Sequence, residues 1–379
     1  MGAGGERWKV DRPLKDFSSA GYRRSEVALP VIAPSVNVQD FGAKGDGIVD
    51  DTRALVRALD ACPQGGKVFL PAGSYLVTDL ITVTKPLVIG GAGMEQTRLI
   101  LPSHLADKRP RNGNPGSKNP ASLWSWSGGH IEFVSTSDVG IEDLTFEFPA
   151  TPYIGHFKEH GANGINFEGC HDGWARRLRF INADSGIFAS NSRHITVREI
   201  EFDAYASRGC YDDFRKEANF AGHHAVDFTH GSSFCLADII SLKVKFFHEL
   251  GIEHGANMNV YSRCSGPDLV LDHHQVDVHD NLWTEIDAGA GGRLWQNNAR
   301  GSTMHEVFWN VRMEKLVPYP DVKLKNIVVG FPGLSAEARS PDGPWVEVIN
   351  PALLTPSNLF RAQLEKRIGA AKAAAVLGN

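Results

Sequence analysis

The chain has 379 residues, 42% hydrophobic and 22% charged, with a formal net charge of −5. That supplies ample material for a large core, shows no basic stripe of the kind phosphate binding needs, and contains no apolar run long enough to span a membrane, so neither nucleic acid nor a membrane span is expected. The five cysteines are scattered and odd in number, without a Cys-x-x-Cys pair; a cysteine zinc site is improbable, most read as small buried hydrophobes, and one disulfide stays open.

The start, Met1 to Gly5, lacks the apolar stretch of a signal peptide. Residues 6–35 are polar and read as an extended arm. Residues 36–77 read in four pieces. Val36 to Phe41 is a short strand, and Ala43 to Gly47 a turn cluster. Asp50-Asp51-Thr52 opens a helix, where carboxylates and a hydroxyl take up free backbone N–H groups, and Ala54, Leu55, Ala58 and Leu59 form its apolar stripe. Gln64-Gly65-Gly66 ends it, and Lys67 to Leu70 is a second strand closed by Pro71-Ala72-Gly73. Asp46, Asp50 and Asp51 are therefore expected to serve turns and caps, not catalysis.

This stretch, Asp40 to Thr52 followed by Gly65 to Tyr75, closely resembles the opening of pectate-lyase-superfamily proteins. The resemblance implies an all-β fold: a single-stranded right-handed parallel β-helix (solenoid) with a short N-terminal capping helix. Asp16 to Tyr22 resembles the lead-in of a bacterial subgroup of such proteins.

From His130 onward a repeat is visible. Ile131, Ile165, Ile187 and Val226 are separated by 34, 22 and 39 residues, and Leu144, Leu178, Ile200 and Ile239 by the same three steps. A coil near 22 residues suits one β-helix turn. The surplus residues, roughly 149–163 and 204–222, fall at one phase, so both insertions are expected on one side of the solenoid, walling a groove. Beyond Ile252 the phase is not assignable. Phe360, Leu364, Ile368 and Ala371 recur at helical spacing. The expected organisation is an arm (1–35), a β-helix domain (36–350) and a C-terminal helical cap or tail (351–379).

Nine of the fifteen histidines lie between His223 and His305. The densest run, Asp272 to Asp287, with Arg293-Leu294-Trp295 and Trp309 after it, resembles a series in the same bacterial subgroup, which places the protein among carbohydrate-active lyases and hydrolases. The leading reading is a polysaccharide lyase cleaving a uronic-acid-containing glycan by β-elimination. Arg293 is the expected carboxylate neutraliser, His273 or His274 the base, and His224 the acid, with Asp272 completing the catalytic group. Trp283 and Trp295 are expected to stack on sugar rings, with His254, Glu285, Asp287 and Trp309 as further substrate-binding residues. The alternatives are a glycoside hydrolase using a carboxylate pair from Asp277, Asp280, Glu285 and Asp287, an epimerase on the same scaffold, and a non-catalytic glycan-binding β-helix. His273, His274 and His279 are disfavoured as metal ligands, because adjacent strand residues point to opposite faces. No metal or cofactor is expected, with a divalent cation such as Ca2+ left open. The partner expected is a polysaccharide or oligosaccharide, and the location extracellular.

Overall fold

The computed structural model describes residues 14–108, 128–156, 158–212, 216–274, 277–290, 293–297, 305–314, 325–331, 338–339 and 345–378, with backbone alone at 212, 274, 293–297 and 338–339. Two long, mostly parallel sheets form the body of the chain, the larger between Pro34 and Glu347 and the smaller between Ile81 and Asn297. In the smaller one, Ile131, Ile165, Ile187, Val226, Leu250 and Leu271 lie side by side, one per coil. In the larger, Leu144, Leu178, Ile200 and Ile240 do the same. This is a right-handed parallel β-helix. The second marker row ends at Ile240, one residue later than the spacing suggested, because Ile239 adopts a left-handed conformation (φ 60°) and half leaves the core.

That residue belongs to a pattern. Asp143, Arg177, Glu199, Ile239, Arg263, Glu285 and Asn310 all have φ between 50° and 62°, and so form one column of bends. Asp138, Asp172, His194, Phe234, Met258, Asp280 and His305 form a second, with φ between 51° and 66°. From each member to the next, both columns step by 34, 22, 40, 24, 22 and 25 residues. A left-handed non-glycine costs roughly 1–2 kcal/mol, so a column persists only because parallel pairing above and below holds it. The regular steps continue through the region where the hydrophobic pattern alone loses phase.

Inside the coils, aromatic side chains stack along the axis. Phe180 lies between Phe146 and Phe202 with centroids 4.8 and 5.1 Å away. The helix Thr52–Ala61 buries Ala54, Leu55, Ala58 and Leu59 against the first coils. Asp51 accepts hydrogen bonds from the backbone N–H groups of Lys44 and Gly45, Asp46 from Ile48 and Val49, and Asp50 from Thr52. At the other end, two helices, Leu359–Ile368 and Ala370–Leu377, lie on the flank of the larger sheet. Their Phe360, Leu364, Ala373 and Leu377 pack on Leu236, Val260, Leu282, Val307 and Trp309. The arm joins them: Phe17 is buried there, and Arg367 donates to Ser18. All five cysteines are free thiols. Among the described residues, no helix is long and apolar enough to cross a membrane.

Candidate functional site

The two insertions meet on one side of the solenoid. The Tyr153 N–H donates to the Arg208 carbonyl (2.8 Å), and Tyr153 packs with Phe220 and Phe247. A buried ion pair underpins both: Arg208 bonds Asp184, whose other oxygen accepts from Gly161 and Ala162 N–H, while Arg208 also donates to the Thr151 and Ala221 carbonyls. The strand Glu217–Thr229 leaves the second insertion with His223 and His224 as consecutive residues.

Ala225 and Val226 enter the core, so His224 and Asp227 emerge on the same outer side. Strict alternation would have separated them; two inward residues in a row bring them together, with His224 Nδ1 2.9 Å from Asp227 Oδ2. The next coil supplies His248 as the register partner of His224, their rings 5.3 Å apart. The row through Asp227 continues to Gly251 and then Asp272. Gly251 is needed as glycine: a Cβ there would stand 2.5 Å from Asp227 Oδ2. Asp272 reaches back to His248, Oδ2 to Nδ1 3.3 Å. Glu253 completes the group, and one ligand atom each of His224, Asp227 and Glu253 fall within 4.8 Å of one another.

The first insertion closes over this group. His156 sits edge-on to His223 (centroids 4.6 Å) and stacks on Phe247 (3.6 Å). Glu159 meets His223 Nδ1 at 3.0 Å and accepts from the Tyr153 hydroxyl at 2.5 Å. The electrostatics follow from burial. Asp227 is pushed up to about 6 by burial and by the charge of Glu253, against the pull of His224. Burial opposes the charged form of His224, but hydrogen bonding and charge from Asp227 outweigh it and raise its pKa. Burial, then the neighbouring His224, lowers His223. These side chains form a set of proton donors and acceptors shielded from water, the setting in which perturbed groups mark functional sites.

Of the residues singled out from sequence, His224 and Asp272 lie in this group. His273 does not: it continues the inward row of Phe228 and Ile252 and is fully buried in the core, beside the stacked rings of Trp283 and Phe308. Trp283 is equally internal, stacked on Tyr261 at 4.7 Å and donating to Glu306, so it offers no face to a sugar. Trp309 lies under the C-terminal segment and donates to the Pro356 carbonyl. Glu285 is a bend residue that accepts from Asn358, and Asp287 is the exposed last residue of the strand Leu282–Asp287, accepting from Gly289 N–H. The carboxylate pair sought among Asp277, Asp280, Glu285 and Asp287 is scattered: Asp280 pairs with His279 on one column of bends, while Glu285 stands on the other. His254 remains at the rim, a third exposed, stacked on His230 at 4.7 Å. The side chains of His274, Arg293 and Trp295 lie outside the described ones. By register Arg293 pairs with Val270, and Gln296 is the strand neighbour of His273, so Arg293 is three residues from the place its spacing suggested.

Sequence reasoning missed Asp227, Glu253, His248, His223, His156, Glu159 and Tyr153 as a group. The signal was His223-His224 with Asp227 three residues on, then His248 at 24 residues from His224, the same step as both bend columns take at that point.

Residues 35–138 match the family model described as "Rhamnogalacturonase A/epimerase, pectate lyase-like". Among curated proteins, the chain is 26% identical over 279 residues to mannuronan C5-epimerase AlgE5 of Azotobacter vinelandii, covering 67% of this chain and 24% of that protein. It is 29% identical over 216 residues to alginate lyase 7 of the same organism, covering 53% of this chain and 20% of that one. The chain thus spans a quarter or less of the length of these curated relatives. Among solved structures, a hyperthermoactive exopolygalacturonase from Thermotoga maritima aligns over 80% of this chain and 82% of its own at 12% identity, with a TM-score of 0.47.

Proposed function

Since this chain is a pectate-lyase-like parallel β-helix protein, we propose that it is a carbohydrate-active enzyme that removes the C5 proton of a uronic acid residue in a polysaccharide and eliminates the 4-linked sugar, a lyase reaction. The observation that carries this reading is the convergence of His224, Asp227 and Glu253 within 4.8 Å. Inverting hydrolysis places its two carboxyl groups about 6.5–9.5 Å apart to admit a water, and Asp227 and Glu253 are closer than that. An imidazole hydrogen-bonded to a carboxylate is instead suited to taking and returning one proton. In this reading Asp227 takes the C5 proton and His224, 2.9 Å from it, protonates the leaving oxygen. Arg293 is retained as the proposed partner of the substrate carboxylate. The first insertion lies over the cluster through His156 and Glu159.

A second reading shares the first step. A proton removed from C5 and returned on the opposite face is epimerisation, and a relative named a C5-epimerase matches over 279 residues. Incubation with mannuronate-, guluronate- and galacturonate-containing polysaccharides separates the readings. A lyase yields new ends absorbing in the ultraviolet. An epimerase changes the C5 configuration seen by NMR without shortening the chain. New reducing ends without absorbance indicate hydrolysis and overturn the proposal.

A further inference from the structure

His156, His223 and His248 come from three separate segments, the first insertion and two successive coils, yet one ring nitrogen of each falls within 4.8 Å of the others. The ring pairs lie at 4.6, 5.6 and 5.4 Å. The difficulty with neighbouring histidines of one strand, that they face opposite ways, is absent here.

Two of the three carry a carboxylate behind them. Glu159 meets Nδ1 of His223 at 3.0 Å and Asp272 meets Nδ1 of His248 at 3.3 Å. Tyr153 in turn holds Glu159 at 2.5 Å. Carboxylates standing beside ligating imidazoles are a common outer shell of metal sites, where they orient the rings. The third ring, His156, is held flat against Phe247 at 3.6 Å and 17°.

We propose that His156, His223 and His248 form a three-histidine site for a zinc-class divalent transition metal, which fastens the first insertion to the face of the smaller sheet. Imidazole ligands select zinc, copper, nickel or cobalt over calcium and magnesium, which prefer oxygen. Zinc bonds of about 2.0–2.1 Å in a tetrahedron put the nitrogens roughly 3.3 Å apart, so binding draws the rings together by up to about 1.5 Å. Three protein ligands leave a fourth position for water or a substrate oxygen. The ion is held here whether or not Asp227 takes a proton from a sugar, so the two proposals fail separately.

The test uses the full chain, stripped with a chelator and titrated with Zn2+ by calorimetry and with Co2+ by visible absorption. The wild type is expected to take one equivalent of either, cobalt giving the intense bands of four-coordination. His156→Ala is expected to weaken binding by roughly 100-fold and abolish those bands. His156→Phe, which keeps a ring on Phe247 but removes the nitrogen, is expected to do the same, with circular dichroism confirming an intact fold. The absence of stoichiometric binding to the wild type overturns the site. So does unchanged affinity in either His156 variant, or loss of binding in Glu253→Gln with His156→Ala unaffected, which moves the metal to the neighbouring His224–Asp227–Glu253 group.

Discussion

Two buried polar rows run across the coils of this solenoid, one beside the other sheet's core and one beneath the insertions. In the first, Asn259, Asn281, Glu306 and Asn326 stack one per coil, all fully buried. Asn259 Oδ1 accepts from Cys235 N–H, Asn281 Oδ1 from Asn259 N–H, Glu306 Oε1 from the Asn281 side chain, and Asn326 Oδ1 from Glu306 N–H. In the second, His224 faces Asp227 and His248 faces Asp272. The first row satisfies backbone donors with side-chain oxygens, which is how buried polar groups ordinarily meet their hydrogen-bonding demand. The second sets titratable groups against titratable groups, where each protonation changes the next. Burial is common to both; the identity of the partner separates scaffold from chemistry.

Asp227→Asn tests that separation most severely. It keeps the shape and removes the carboxylate charge, so turnover on the responsive polysaccharide is expected to fall roughly 10²–10⁴-fold, the range for a lost general base. Thermal unfolding is expected to stay within a few degrees of wild type, or to rise, because a strained buried carboxyl is gone. Near-normal turnover in this variant would move the chemistry away from the second row.

His273→Ala sharpens the contrast from the opposite side. Its ring fills an inward position beside the stacked Trp283 and Phe308. Truncation is expected to cost about 3–4 kcal/mol, as for other buried rings, read as a lower denaturant midpoint, while turnover per folded molecule changes by less than tenfold. A catalytic collapse without loss of stability would restore His273 to the site.

The fate of His273 shows what was legible in the sequence. The N-terminal motif and the coil spacing specify the fold because they record backbone requirements: a turn, a cap, an inward hydrophobe every coil. The site is recorded more faintly. Histidine enrichment between 223 and 305 is real, but it mixes inward residues such as His273, bend residues such as His305 and the outward pair His224 and His248. Only the facing, set by consecutive inward residues at Ala225 and Val226, sorts them. Glu159, Tyr153 and His156 sit in an insertion that has no counterpart in neighbouring coils, so no repeat announces them. Glu285 reads as a groove carboxylate until its left-handed backbone shows that it turns the chain.

The smallest expected effect concerns the one titratable member of the first row. Glu306 accepts from the Asn281 side chain and from the Trp283 indole, at 2.9 and 3.2 Å, yet burial dominates and pushes its carboxyl up to about 7 from an ordinary 4.5. The native state therefore holds this proton more tightly than the unfolded chain does. Its contribution to stability is fully present below about pH 4.5, declines as pH rises from there to about 7, and is gone above that, amounting to about 3 kcal/mol at 1.36 kcal/mol for each pH unit of the difference. Asp227 contributes in the same direction up to about pH 6, so the wild-type slope alone does not isolate Glu306. Glu306→Gln keeps an oxygen for Asn281 and cannot ionise. The difference in unfolding free energy between variant and wild type, measured by urea titration at pH 4.5, 6 and 8, is expected to swing in the variant's favour as pH rises. A difference that stays constant across that window would mean that the amide and indole donors outweigh burial, that Glu306 is a carboxylate throughout, and that the first row too carries a fixed charge.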